Sequence, residues 1–265
     1  MKLHSANFHF EPAAEPPVLK AGAVHLWSAH LHDAPAAAHE LLSGAEWARA
    51  CRFHFDSDRA RYIAARALLR TILAPYADCG PCELGIAYGP QGKPRLEDSM
   101  LRFNLSHSGN LLLLAVTFGR EIGVDVEEMR DNVQFQILSD HYFDPADAWE
   151  LRLLDPGRRA ERFYEIWTRT EAQLKAAGSG LAHGMMIPNP ERWKVLSFTP
   201  AEGYAGALAV EGGEFCLESM VWRGSDRPVI NRSELQPFRE LHCLGGSSPF
   251  STPRAVPPAA ANSDL

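Results

Sequence analysis

IGVDVE, residues 122–127, is the stretch at which the order of elements along this chain begins again. Its alternation predicts a strand, because successive side chains of extended backbone leave opposite faces. Val124 and Val126 take one face, and Asp125 and Glu127 lie side by side on the other. Adjacent carboxylates raise each other's pKa unless a cation offsets them. All-oxygen ligation with no Cys or His close by suits Mg²⁺ rather than zinc. On this motif alone, an acidic edge strand facing solvent accounts for the residues as well.

Working outward, the preceding residues read as a strand at VHLWS (24–28), helices that include RARYIAARALLRTIL (59–73), and strands at LGIAY (84–88), LRFNLS (101–106) and LLLLAVTF (111–118). From IGVDVE the order repeats: a strand, helical segments, a long helix over 160–177, then strands at WKVLSF (193–198), GALAV (206–210) and FCLESMVW (215–222). The recurrence predicts an α+β fold, a pseudodimer of two similar α/β halves at 21–120 and 121–230, with a ligand cleft between them. Residues 1–20 read as a loose N-terminal arm. Residues 231–265, rich in Pro, Ser and Ala, read as a largely disordered tail.

The chain has 265 residues and a formal net charge of -7, which argues against a broad basic surface for nucleic acid. Of its 26 basic residues only five are lysines, Lys93 and Lys175 among them. No apolar run approaches the ~20 residues that span a bilayer, and the first residues lack a signal-peptide core, so the expected setting is the cytoplasm. An odd set of 5 cysteines does not resemble a disulfide framework. Cys79 and Cys82 in CGPC have redox-motif spacing but sit in a Pro/Gly turn, where a plain loop is the simpler reading.

Four further stretches carry candidate chemistry. In FYEIWTRTEAQLKAAGSGL (163–181), Tyr164, Trp167, Glu171 and Lys175 lie along one helix face, so Glu171 can complete a three-carboxylate set with Asp125 and Glu127. An exposed Glu-to-Lys pair is the alternative there. LRFNLSHSGNLLLLAV predicts two strands joined by a turn at 104–110, with His107 and two hydroxyls at the sheet end. A plain hairpin loop fits these residues too. In YGPQGKPRL a tight turn through Gly89, Pro90, Gly92 and Pro94 projects Lys93. Arg49, Arg52, Arg59 and Arg61 gather near a helix start, as bidentate phosphate ligands or as a solvated positive face.

GKP, then FNLSHS, then GVDVE, then WTRTEAQLKAAGSGL, in this order and at these separations, resembles the 4′-phosphopantetheinyl transferases of the Sfp type over residues 24–222. The resemblance implies an enzyme that moves the phosphopantetheine arm of coenzyme A onto a serine of an apo acyl or peptidyl carrier protein. Adenosine 3′,5′-bisphosphate leaves, and Mg²⁺ is used. It implies Asp125, Glu127 and Glu171 as metal ligands, and Glu171, Lys175 and His107 as catalytic residues. The resemblance also implies coenzyme A contacts at Arg49, Arg52, Arg61, Gly92, Lys93, Pro94, Asn104, Ser106, His107 and Lys175.

A monomer is expected, without nucleic acid or membrane, and the chain length leans toward carriers of secondary metabolism. Carriers of this kind are acidic around their serine, so this acidic enzyme would need a local basic or apolar docking surface. One departure stands out: where the family block has lysine before its glutamate, this chain has Thr170. The rival readings are a coenzyme A-binding protein without transfer activity and a Mg²⁺-dependent phosphoester hydrolase.

Overall fold

A computed structural model describes residues 6–7, 9–130, 133–179 and 187–224. In chain order the strands and helices are β1 (Ala6–Asn7), β2 (Glu11–Ala13), β3 (Ala23–His30), α1 (Gly44–Ala50), α2 (Asp56–Leu73), β4 (Ile86–Tyr88), β5 (Pro94–Leu96), β6 (Leu101–Ser108), β7 (Leu111–Phe118) and β8 (Ile122–Glu128). They continue as α3 (Phe135–Tyr142), α4 (Pro145–Leu153), α5 (Pro156–Ala177), β9 (Trp193–Thr199), β10 (Tyr204–Glu211) and β11 (Cys216–Trp222).

The recurrence is present as topology. In the first half β3 pairs antiparallel with β7, and β7 with β6; in the second, β8 pairs antiparallel with β10, and β10 with β9. Each half also carries one long helix, α2 or α5, between its first strand and the other two.

Alternation along the strands builds the layers. Val24 and Leu26 of β3, Leu111 and Leu113 of β7, Val124 and Val126 of β8, and Leu208 and Val210 of β10 share one buried cluster between the sheets. The opposite faces of β3 and β7, through Trp27, Leu112 and Leu114, pack against Leu68, Leu69 and Ile72 of α2.

The sheets do not follow the two halves throughout. β11 joins the first sheet, parallel to β3, giving the order β2-β11-β3-β7-β6 against β1-β9-β10-β8 for the second. Part of the arm expected to be loose is also paired, β1 with β9 and β2 with β11. Both additions cover sheet edges whose backbone groups would otherwise lack strand partners, and Pro12 fits an outermost strand because it has no N–H to donate.

Two local expectations change. β6 runs through Ser108, so the connection to β7 is only Gly109–Asn110, and the NLSHS segment is strand rather than turn. The GKP turn is the end of a small hairpin, β4 with β5, whose second strand is too short to show alternation. The predicted helix stop holds: Gly178 adopts φ 68° and its N–H bonds the last carbonyls of α5. Cys79 and Cys82 are free thiols, with Cys82 in a 3₁₀ turn at Pro81–Glu83. Gly180, Leu181 and the expected tail at 231–265 lie outside the described residues.

Candidate active site

Gly123, Asp125 and Glu127 are alternate residues of β8 on the face turned to α5. A Cβ on Gly123 would stand 2.0 Å from the Ala172 carbonyl oxygen and 2.4 Å from the Ala176 nitrogen, so the helix backbone rests directly on the strand. Ala172 and Ala176 of α5 meet Ala207 and Ala209 of β10 in the same small-residue layer. This close approach brings Glu171 and Lys175 beside Asp125. The glycine of the GVDVE block is therefore the packing residue that sets the site.

All three carboxylates are buried: Asp125 is 1% exposed, Glu127 3% and Glu171 8%. Lys175 Nζ donates to Asp125 Oδ1 at 2.7 Å and to Ser106 Oγ at 3.0 Å. Ser106 in turn donates to Asp125 Oδ1 at 3.0 Å and accepts from the Val126 N–H at 3.3 Å. Ser108 donates to Glu127 Oε2 at 2.8 Å and accepts from the Glu128 N–H at 3.1 Å, while the Val124 N–H donates to Asn104 Oδ1 at 2.8 Å.

The three side chains of β6 at 104, 106 and 108 thus take the place of backbone partners along the outer edge of β8. Sequence reasoning assigned Asn104 and Ser106 to coenzyme A. The structure places both in this seam between the halves, where β8 N–H groups need acceptors.

The electrostatics are unbalanced. Burial, then the Asp125 charge, pushes Glu171 up to about 7, with Lys175 acting the other way. Glu127 is driven well above the usual carboxylate range by burial and by Asp125. Burial also raises Asp125, against the pull of Lys175. Burial disfavours the Lys175 charge, yet Asp125 and Glu171 outweigh it and hold its pKa above the ordinary lysine value. His107, on the β6 face opposite the seam, is lowered to about 4 by burial and by the charges of Lys175 and Arg61, so its imidazole is neutral at pH 7.

Asp125 Oδ2 and Glu171 Oε1 are buried without a hydrogen-bond partner. Orphaned carboxylate oxygens among mutually repelling acids fit a cation, and the oxygen-only donor set fits Mg²⁺. The expected three-ligand set is nonetheless not a closed cage: among the described residues no three His, Cys, Asp or Glu groups are gathered to hold a metal by themselves. Lys175 lies on one oxygen of Asp125 instead. An open set suits Mg²⁺, which takes one or two carboxylates and completes its shell with water and phosphate oxygens.

The remaining expected contacts are spread more widely. Lys93 Nζ donates to Glu121 Oε2 at 2.6 Å and to the Ala176 carbonyl at 2.8 Å, so it ties the last turn of α5 to the residue before β8. Gly92, at φ 84°, makes the turn before it, and Pro94 opens β5. Arg49 lies over the Tyr62 ring, Arg52 is exposed beyond α1, and Arg61 pairs with Asp58 in α2.

A second charged cluster escaped sequence reasoning. Glu46 accepts from Arg66 Nε at 2.7 Å and from Arg70 Nε at 2.8 Å, and all three are buried. Its signal was the i,i+4 arginine pair on the apolar stripe of α2 and the Ser43-to-Glu46 capping spacing.

Two family profiles match in tandem. One described as "4′-phosphopantetheinyl transferase, N-terminal" covers residues 25–118, and one described as "4′-phosphopantetheinyl transferase superfamily" covers residues 121–222. The chain is 35% identical to 4′-phosphopantetheinyl transferase HetI of Nostoc sp. over an alignment of 208 residues that covers 71% of this chain and 88% of that protein. It is 40% identical over 195 residues to a putative 4′-phosphopantetheinyl transferase of Synechocystis sp., covering 72% of this chain and 73% of the relative. The AcpT transferase of Escherichia coli K12 is 37% identical over 121 residues, 45% of this chain and 58% of its own. With both halves matched in order and these relatives covered at such identity, the chain is a transferase belonging to the 4′-phosphopantetheinyl transferase superfamily.

Proposed function

We propose that this transferase moves the phosphopantetheine arm of coenzyme A onto the serine hydroxyl of an apo acyl or peptidyl carrier protein, with Mg²⁺ bound at the carboxylates of Asp125, Glu127 and Glu171, of which one or two would ligate it directly. The observation that carries the reading is the buried carboxylate group beside Lys175, with Asp125 Oδ2 and Glu171 Oε1 left without partners. Bound there, Mg²⁺ would neutralise diphosphate charge.

The chain's own residues supply the rest. Glu171, beside Asp125 and one helical turn from Lys175, is the group placed to accept the serine proton. The freed serine oxygen attacks the β-phosphorus of coenzyme A, and the bond to the adenosine 3′,5′-bisphosphate oxygen breaks. Lys175 carries a positive charge against the leaving phosphate, and its raised pKa keeps that charge in place. Neutral His107 offers a hydrogen bond on the Arg61 side of the site.

The internal duplication lets one chain build the whole site, which supports a monomer. Among the described residues no helix is long and apolar enough to cross a membrane.

Chromatography of nucleotide products tests the reaction type. Adenosine 3′,5′-bisphosphate released only when an apo carrier is present supports transfer. Release without a carrier means hydrolysis, and no release with coenzyme A bound means an inactive binder.

A further inference from the structure

The seam between β6 and β8 suggests more than adhesion between halves. Direct pairing of two strands uses backbone donors and acceptors on both sides. Here β8 presents the N–H groups of Val124, Val126 and Glu128, and side chains of β6 answer each one. Two of those side chains, Ser106 and Ser108, also hold a carboxylate, whereas Asn104 has no such bond in the seam.

Ser108 is the more specific of the two hydroxyls. A hydroxyl has one proton to give, and Ser108 gives it to Glu127 Oε2 while accepting from the amide of the next residue of the same strand. That bond fixes the rotation of the Glu127 carboxylate and so the direction its oxygens face. The turn that follows also meets the second half: a Cβ on Gly109 would stand 2.7 Å from the Tyr204 hydroxyl and 3.0 Å from Glu128 Cδ, so the ends of these two side chains lie against it. Ser108 is 4% exposed, which leaves solvent little chance to replace it.

We infer that Ser108 is a positioning residue for Glu127, reaching from the N-terminal half to orient a ligand of the second half's divalent ion. The inference rests on the reading of Asp125, Glu127 and Glu171 as metal ligands. Partners that orient a metal ligand typically change ion affinity by about ten- to a hundred-fold when removed.

The test compares Ser108→Ala, Ser108→Thr and Asn104→Ala with the unaltered full chain. Mn²⁺ binding in the presence of coenzyme A is read by electron paramagnetic resonance, the Mg²⁺ dependence of kcat and KM by steady-state transfer, and folding by thermal melting. Ser108→Ala is expected to weaken Mn²⁺ at least about ten-fold and to raise the Mg²⁺ requirement more than it lowers kcat at saturating Mg²⁺. Ser108→Thr, which keeps the hydroxyl, should recover most of the affinity. Asn104→Ala, which removes the acceptor for Val124 but no bond to a carboxylate, should lower the melting temperature and weaken Mn²⁺ much less than Ser108→Ala does.

Unchanged Mn²⁺ affinity in Ser108→Ala would overturn the inference, as would an equal loss in Asn104→Ala, which would mean general loosening of the seam. If the unaltered chain binds no Mn²⁺, the metal reading itself fails and takes this inference with it.

Discussion

The backbone of Ala172 lies so close to Gly123 that a single methyl group between them would sit 2.0 Å from a carbonyl oxygen. No side-chain rotamer can relieve such a contact, because both parties are backbone. α5 would have to lift from β8, carrying Glu171 and Lys175 away from Asp125.

Gly123→Ala is therefore expected to cost at least about 3 kcal/mol, the upper end of ordinary overpacking. Denaturant melts would measure the loss, and transfer activity should fall with it. A stable Gly123→Ala protein with full activity would show that α5 does not need this contact.

Glu46 forms the second prediction. Burial alone would push its carboxyl up, but the guanidiniums of Arg66 and Arg70 and the Ser43 amide hold it below the ordinary value of 4.5. A carboxyl depressed by folding contributes stability above its unfolded pKa and loses it as pH falls through the folded pKa. The unaltered chain should thus lose stability as pH drops below about 4.5, with Glu46 protonation part of the loss. Glu46→Gln should cost about 3–5 kcal/mol at neutral pH, because it leaves two buried arginines without their anion, and should flatten the acid decline. Melting curves of both proteins across pH 3 to 7, a window of about that width around the usual carboxylate values, decide it.

Thr170 occupies the position at which the family block has lysine. Its hydroxyl donates to the Ile166 carbonyl at 2.9 Å, a bond back along its own helix. The side chain thus spends its polar group away from the carboxylates. Thr170→Ala is expected to leave kcat/KM within about two-fold, since a substitution remote from packing and charge is worth about 0.5 kcal/mol or less. A ten-fold loss, about 1.4 kcal/mol of transition-state energy, would give the hydroxyl a part in the reaction.

Much of the site was legible because its geometry is local. Asp125 and Glu127 share a strand face by the two-residue period, and Glu171 and Lys175 share a helix face by the i,i+4 rule. Neither rule needs to know what lies opposite. Ser108 and Lys93 show where such rules stop. The tight turn predicts only that Lys93 projects; its partners, Glu121 and Ala176, are 28 and 83 residues away.

The same holds for the fold. The strands carrying eight or so alternating residues announced themselves, while β2 and β5, of three residues each, did not. The placement of β11 beside β3 depends on which sheet edge lacks a partner, a property of the assembled sheets rather than of FCLESMVW itself. The NLSHS segment misled because Asn and Ser favour turns. Here the same hydrogen-bonding capacity serves a neighbouring strand.

The most direct measurement is intact-protein mass spectrometry of apo acyl and peptidyl carrier proteins incubated with this protein, coenzyme A and Mg²⁺, run beside Glu171→Gln. The account predicts a gain of one phosphopantetheine on a carrier, dependent on Mg²⁺ and reduced at least about a hundred-fold in rate by Glu171→Gln, the lower range for removal of a general base. A carrier modified equally fast by Glu171→Gln would contradict the role given to Glu171, and no gain on any carrier would contradict the transfer itself.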